Sequence, residues 1–122
     1  MGFTVETDLP RRLLTMTYTQ DVTPEEAKSS AEDVQKLLVD MKPGFRLLTD
    51  VTGLDKMDPA CSPYMKQIMD LSAVHGVGLV VRVITDPHKD IGFNIMSLFH
   101  YTRAVVIVTC STWDEANRAL AD

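Results

Sequence analysis

The sequence predicts an α/β domain: one mixed, mostly parallel five-stranded sheet with four helices, in the order β-β-α-β-α-β-α-β-α. Three observations predict it. Apolar runs of strand length alternate with segments of helical period, the pattern of right-handed crossovers between parallel strands. The first two strand-like runs are separated only by Thr7 to Pro10, so they form an antiparallel hairpin at one edge. The chain has 122 residues, 45% hydrophobic and 24% charged, which suits a single domain (1–122) with a sizeable core.

Phe3 and Val5, then Leu14, Met16 and Tyr18, alternate with polar residues and read as two half-buried strands. Thr23-Pro24-Glu25-Glu26 is a helix start, with Thr23 as cap, Pro24 in the first turn and Glu26 closing a capping box. Ala27, Ala31, Val34, Leu37, Leu38 and Met41 fall on one face of that helix, and Pro43-Gly44 stops it. Phe45 to Val51 is the third strand, followed by a loop over Thr52 to Ser62. Asp58-Pro59 and Ser62-Pro63 are both cap-plus-proline pairs, and either can open the second helix, which runs to about His75 and ends at Gly76 and Gly78. Leu79 to Ile84 is a nearly buried strand interrupted by one charge, Arg82. A turn at Thr85 to His88 leads into a third helix through about His100, capped by Asp86 or Asp90. Ala104 to Thr109 is continuously apolar, which places it inside the sheet and away from a solvent-exposed edge. Ser111 caps the last helix, with Asp114 in its first turn and Ala116, Ala119 and Leu120 inward.

Composition removes several function classes. The net charge of −5 argues against nucleic-acid binding, which needs a basic balance or stripe. Two cysteines, Cys61 and Cys110, without CxxC spacing argue against a disulfide scaffold or a zinc knuckle. No apolar run approaches the ~20 residues of a membrane span. Residues 1–10 include Glu6 and Asp8 and lack the apolar centre of a signal peptide, so the expected location is cytoplasmic.

The element order, together with Leu48-Thr49-Asp50-Val51-Thr52-Gly53-Leu54-Asp55-Lys56-Met57-Asp58, resembles the anti-sigma-factor-antagonist (STAS) family, including bacterial relatives grouped with Sec14-like lipid-binding domains. The matching features are a strand ending in Asp, a small hydroxyl residue two positions later, and Met-Asp before the second helix. Thr112-Trp113-Asp114-Glu115-Ala116 is similar to the family's closing helix start. The resemblance implies a regulatory domain that docks partners around its second and third helices. It also exposes a departure. In the family's antagonists Met-Asp is followed by two serines and a glycine, the second serine being phosphorylated. Here Met57-Asp58 runs into Pro59-Ala60-Cys61, so Ala60 stands at the acceptor position and has no hydroxyl. Ser62 is the nearest substitute.

Other constellations divide between chemistry and plain structure. Asp50, Asp55, Asp58, Asp86 and Asp90 lie after the third and fourth strands, where ligands of open α/β sheets gather. Together they would serve acid/base chemistry or a hard cation; as turn formers and caps they need neither. His75, His88 and His100 lack metal-ligand spacing, and His75 and His100 suit helix C-termini. No nucleophile elbow or phosphate loop is present, and Cys61 near a helix start would have a lowered thiol pKa. No catalytic residue, metal or cofactor is assigned.

The third helix is the least ordinary segment: Ile91, Gly92, Phe93, Ile95, Met96, Leu98 and Phe99 leave only Asn94 and Ser97 polar. It is either deeply covered or an interaction surface. The reading is a non-enzymatic regulatory or protein-interaction domain, binding a protein partner or a second copy through this helix, with Phe93 and Met96 as anchors. The alternative is a small apolar-ligand or lipid-binding domain of Sec14-like type, with Met57, Met65, Met69, Phe93, Met96 and Phe99 lining the site. An enzyme using loop carboxylates ranks last. The candidate binding residues are Asp58, Ser62, Met65, Asp86, Asp90, Phe93, Met96, Phe99 and His100.

Overall fold

The computed structural model describes residues 2–84 and 105–121. Its elements are β1 (Phe3–Asp8), β2 (Leu13–Val22), α1 (Pro24–Leu38), β3 (Arg46–Met57), a 3-10 turn at Pro59–Cys61, α2 (Ser62–Val74), β4 (Leu79–Val83), β5 (Val106–Cys110) and α3 (Trp113–Leu120). The strands form one five-stranded sheet in the order β1-β2-β3-β4-β5. β1 pairs antiparallel with β2, and every later pairing is parallel. The described residues therefore carry the expected mixed sheet with three α-helices, and the expected apolar helix around Ile91 to Phe99 lies outside them.

Alternation within the strands sorts the core into two layers. Leu14, Met16 and Tyr18 of β2, Leu47 and Val51 of β3 and Val80 of β4 face α1 and α2. Leu48, Val81, Val83 and Cys110 form the opposite layer with Ala116 and Leu120 of α3. Both faces of β3 and β4 are thus occupied, which is why Leu47-Leu48 and Val80-Val81 are unbroken apolar pairs. Each fully buried Leu or Val contributes roughly 1.5–3 kcal/mol of transfer free energy.

α1 begins as its sequence requires. Glu26 donates its N–H to Thr23 Oγ1 (3.2 Å), and the Glu26 carboxylate accepts the Thr23 N–H (3.2 Å), closing the capping box. The helix ends at Leu38, short of Pro43; Asp40 N–H to Leu37 O and Met41 N–H to Leu38 O tighten the exit, and Met41 is still buried. At the other end of the sheet, the Arg46 guanidinium donates to the Leu120 carbonyl and to the Arg11 carbonyl, tying α3 and the β1–β2 turn to the start of β3.

Three expectations are corrected. The stretch from Thr52, expected as loop, continues β3 to Met57 because it stays paired with β2 through Thr19↔Gly53 and Val22↔Met57. Thr112, and not Ser111, caps α3: its hydroxyl accepts the Glu115 N–H (3.2 Å), while Ser111 Oγ bonds the Glu115 carboxylate (2.9 Å). The strand at Val106 to Cys110, expected inside the sheet, is an edge strand, and Val106 is 57% exposed. The parallel topology holds; continuous apolarity did not signal two strand neighbours.

Candidate functional site

The carboxyl ends of β2 and β3 set two helix starts side by side. β3 advances by one extra residue against β2 between Thr17↔Asp50 and Thr19↔Gly53, and by another between Gln20↔Leu54 and Asp21↔Lys56. Gln20 takes a positive φ of 56° within this irregular stretch. Such bulges bend a strand and re-aim the residues beyond the bend. Asp50 stabilises the first bulge directly: its Oδ1 accepts both the Thr52 N–H (2.9 Å) and the Thr52 hydroxyl (2.7 Å). Buried and engaged with its own backbone, Asp50 serves as a local turn former.

Beyond Met57 only the first of the two expected cap-plus-proline pairs caps a turn, and Ser62 lies inside α2 and does not cap it. Asp58 Oδ1 accepts the Ala60 N–H (2.8 Å) and opens the 3-10 turn; Ser62 then begins α2, whose N-cap position, Cys61, makes no side-chain capping bond. The turn is strapped to the neighbouring junction, since Val22 O accepts from the Asp58 N–H (3.4 Å) and from the Cys61 thiol (3.6 Å). Asp58, Pro59 and Ala60 are exposed, Ser62 is half-buried and Cys61 is fully buried. Burial, reinforced by the Asp58 charge, pushes the Cys61 thiol up, opposite to the lowering expected from a helix start. Burial raises the Cys110 thiol as well.

Met65 is buried against Met16, Tyr18, Leu47, Thr49, Ile68, Met69, Val80 and Arg82, around a cavity of about 20 Å³. That is room for one water and far below the few hundred Å³ of an ordinary small-molecule site. Met65 and Met69 therefore fill the layer between α2 and the sheet. Among the described residues no three Asp, Glu, His or Cys side chains come together as metal ligands. Asp86, Asp90, Phe93, Met96, Phe99 and His100, with the side chain of Met57, lie outside the described residues.

Two polar features lie within the core. The Tyr18 hydroxyl and Ser30 Oγ are 3.1 Å apart within the core, with Ser30 donating to Ala27 O (2.8 Å). Arg82 is 3% exposed on the α2 face of β4. The signal for Arg82 is a charge within an apolar strand; for Ser30 it is spacing, three residues after Ala27 and four before Val34, on the apolar face of α1.

No family model matches the chain, and no curated protein matches it. Solved structures do. An uncharacterised protein of the DUF3478 family with a SpoIIAA-like fold, from Shewanella loihica PV-4, superposes with a TM-score of 0.76 at 12% identity, covering 98% of this chain and 94% of that one. The phosphorylated form of the Bacillus cell-fate determinant SpoIIAA gives 0.66 at 13% identity over 98% and 99% of the two chains. An anti-sigma factor antagonist from Mycobacterium paratuberculosis gives 0.60 at 12% identity over 98% and 95%. End-to-end coverage at such low identity is likeness of fold, and it agrees with the element order: the chain has the SpoIIAA-like fold.

Proposed function

We propose that the protein is a non-enzymatic regulatory domain that binds a protein partner through the β3–α2 junction without a phosphorylation switch. One observation carries the reading. Ala60 is exposed in the junction turn, at the position where the family resemblance puts the phosphoacceptor, and its N–H is taken by the Asp58 carboxylate. A phosphate at a helix start draws on free N–H donors. Here a resident carboxylate already accepts one of them, so the turn holds its shape with no added group. Ser62, half-buried at the first turn of α2, is a poorer acceptor than an exposed serine at position 60 would be.

The apolar-ligand reading rests mainly on Phe93, Met96 and Phe99, outside the described residues; beside Met65 and Met69 the space is the size of one water. The expected setting is the cytoplasm; among the described residues no helix is long and apolar enough to cross a membrane. The test is capture of a partner by the immobilised chain from extract of its source cells, against Ala60→Arg. Loss of one discrete protein with the variant, at unchanged circular dichroism, supports the reading. Equal capture by both proteins, or a lipid co-purifying in native mass spectrometry with no protein captured, overturns it.

A further inference from the structure

The two edges of the sheet differ in chemistry. β1 exposes Thr4, Glu6 and Asp8, and acidic side chains on an edge repel a further strand. β5 has no such guard. From Val105 to Cys110 the chain reads Val-Val-Ile-Val-Thr-Cys, with no charge, no proline and no glycine. Its backbone orientation is set by two bonds: Val106 N–H donates to Gly78 O (3.1 Å), and Cys110 O accepts the Ile84 N–H (2.8 Å). Residues 106, 108 and 110 thus bond toward β4. By the alternation of a parallel ladder, the N–H and C=O groups of Ile107 and Thr109 point the other way. Among the described residues no strand pairs with that outer side. Val106 is 57% exposed, and Trp113, three residues past the strand, is 43% exposed.

We infer that the outer side of β5 is a strand-addition surface whose occupant is β5 of a second copy, paired antiparallel about a two-fold axis. Self-pairing sets each residue against one from the same short segment, and β5, free of charge, brings no like charges together across the seam. An axis at Val108 sets Ile107 opposite Thr109 of the other copy and satisfies all four outward backbone groups of each strand. The acidic β1 edge disfavours the head-to-tail β1–β5 pairing that would propagate into filaments. The result is a closed dimer with one continuous sheet. Each copy carries a net charge of −5, so added salt tightens this dimer by screening repulsion, the reverse of an ion-paired interface.

The experiment is sedimentation velocity of the full chain beside Thr109→Pro and Thr109→Lys. Thr109 is exposed and its N–H is not used by β4, so a proline there leaves the β4–β5 ladder intact and blocks the outer edge. The lysine variant introduces charge without touching the backbone and keeps the test valid if the proline variant does not fold. The expected result is a dimer whose dissociation constant rises about tenfold or more in either folded variant, which corresponds to roughly 1.4 kcal/mol. A monomeric parent chain at the highest soluble concentration, a ladder of higher oligomers, or a dimer indifferent to both changes overturns the inference.

Discussion

Tyr18 shows how one side chain reports on its layer. Burial pushes its hydroxyl from the ordinary 10.0 up to about 12, partly offset by the bond to Ser30. A raised folded-state value leaves this contribution to stability intact below about 10 and removes it as pH rises through about 12. In an ultraviolet titration, Tyr18 is expected to ionise near pH 12, together with alkaline unfolding; Tyr18→Phe, costing about 1 kcal/mol at neutral pH, removes that step. Glu26 has the opposite sign. The Gly2 N–H (2.6 Å) and then the Thr23 N–H hold its carboxyl below the usual carboxylate range. Its contribution is present above the unfolded-state value and is lost as pH falls through the folded one. Acid denaturation of Glu26→Gln is therefore expected to show a shallower loss of stability than the parent chain. Gly76 has a φ of +88°, and a Cβ there would meet Pro43 Cβ at 3.0 Å. Gly76→Ala is expected to cost about 1–3 kcal/mol, read as a lower denaturant midpoint at unchanged slope.

At the scale of elements, local chemistry was most legible where a side chain closes on its own backbone. Thr23, Pro24 and Glu26 announce α1, and Asp58-Pro59 announces the turn before α2. Thr23→Ala is expected to cost about 1 kcal/mol, measured by chemical denaturation. What the sequence hid depends on distant pairing. The 52–57 stretch carries the glycine and aspartate of a loop, yet β2 holds it as a bulged strand. β5 has the apolar continuity of an interior strand and lies at the edge, because composition reports burial and not the number of strand neighbours. Arg46 looks like an ordinary strand-end charge; its two carbonyl partners, Leu120 and Arg11, are far away in sequence. Arg46→Met is expected to lower stability by about 1.5–3 kcal/mol and to speed hydrogen exchange first in α3.

Across the whole molecule, five strands in sequential order place the β2–α1 and β3–α2 junctions next to each other at one end of the sheet. The resemblance points to that end, and there the Asp58 carboxylate accepts the Ala60 N–H across the turn. Met65 illustrates a limit of the same kind as β5, since methionines read alike in sequence whether they line a ligand site or fill a core, and Met65 is buried beside a space of about 20 Å³. In the proposed function this junction binds a protein partner while unphosphorylated. A photo-crosslinking amino acid placed at Ala60 in the source cell, with the same group at the exposed Val39 as control, tests it most directly. The expected result is a discrete protein adduct at position 60, absent at position 39, on chains that mass spectrometry finds unphosphorylated at Ser62. An adduct pattern shared by both positions, or adducts formed only by chains carrying phosphate on Ser62, contradicts it.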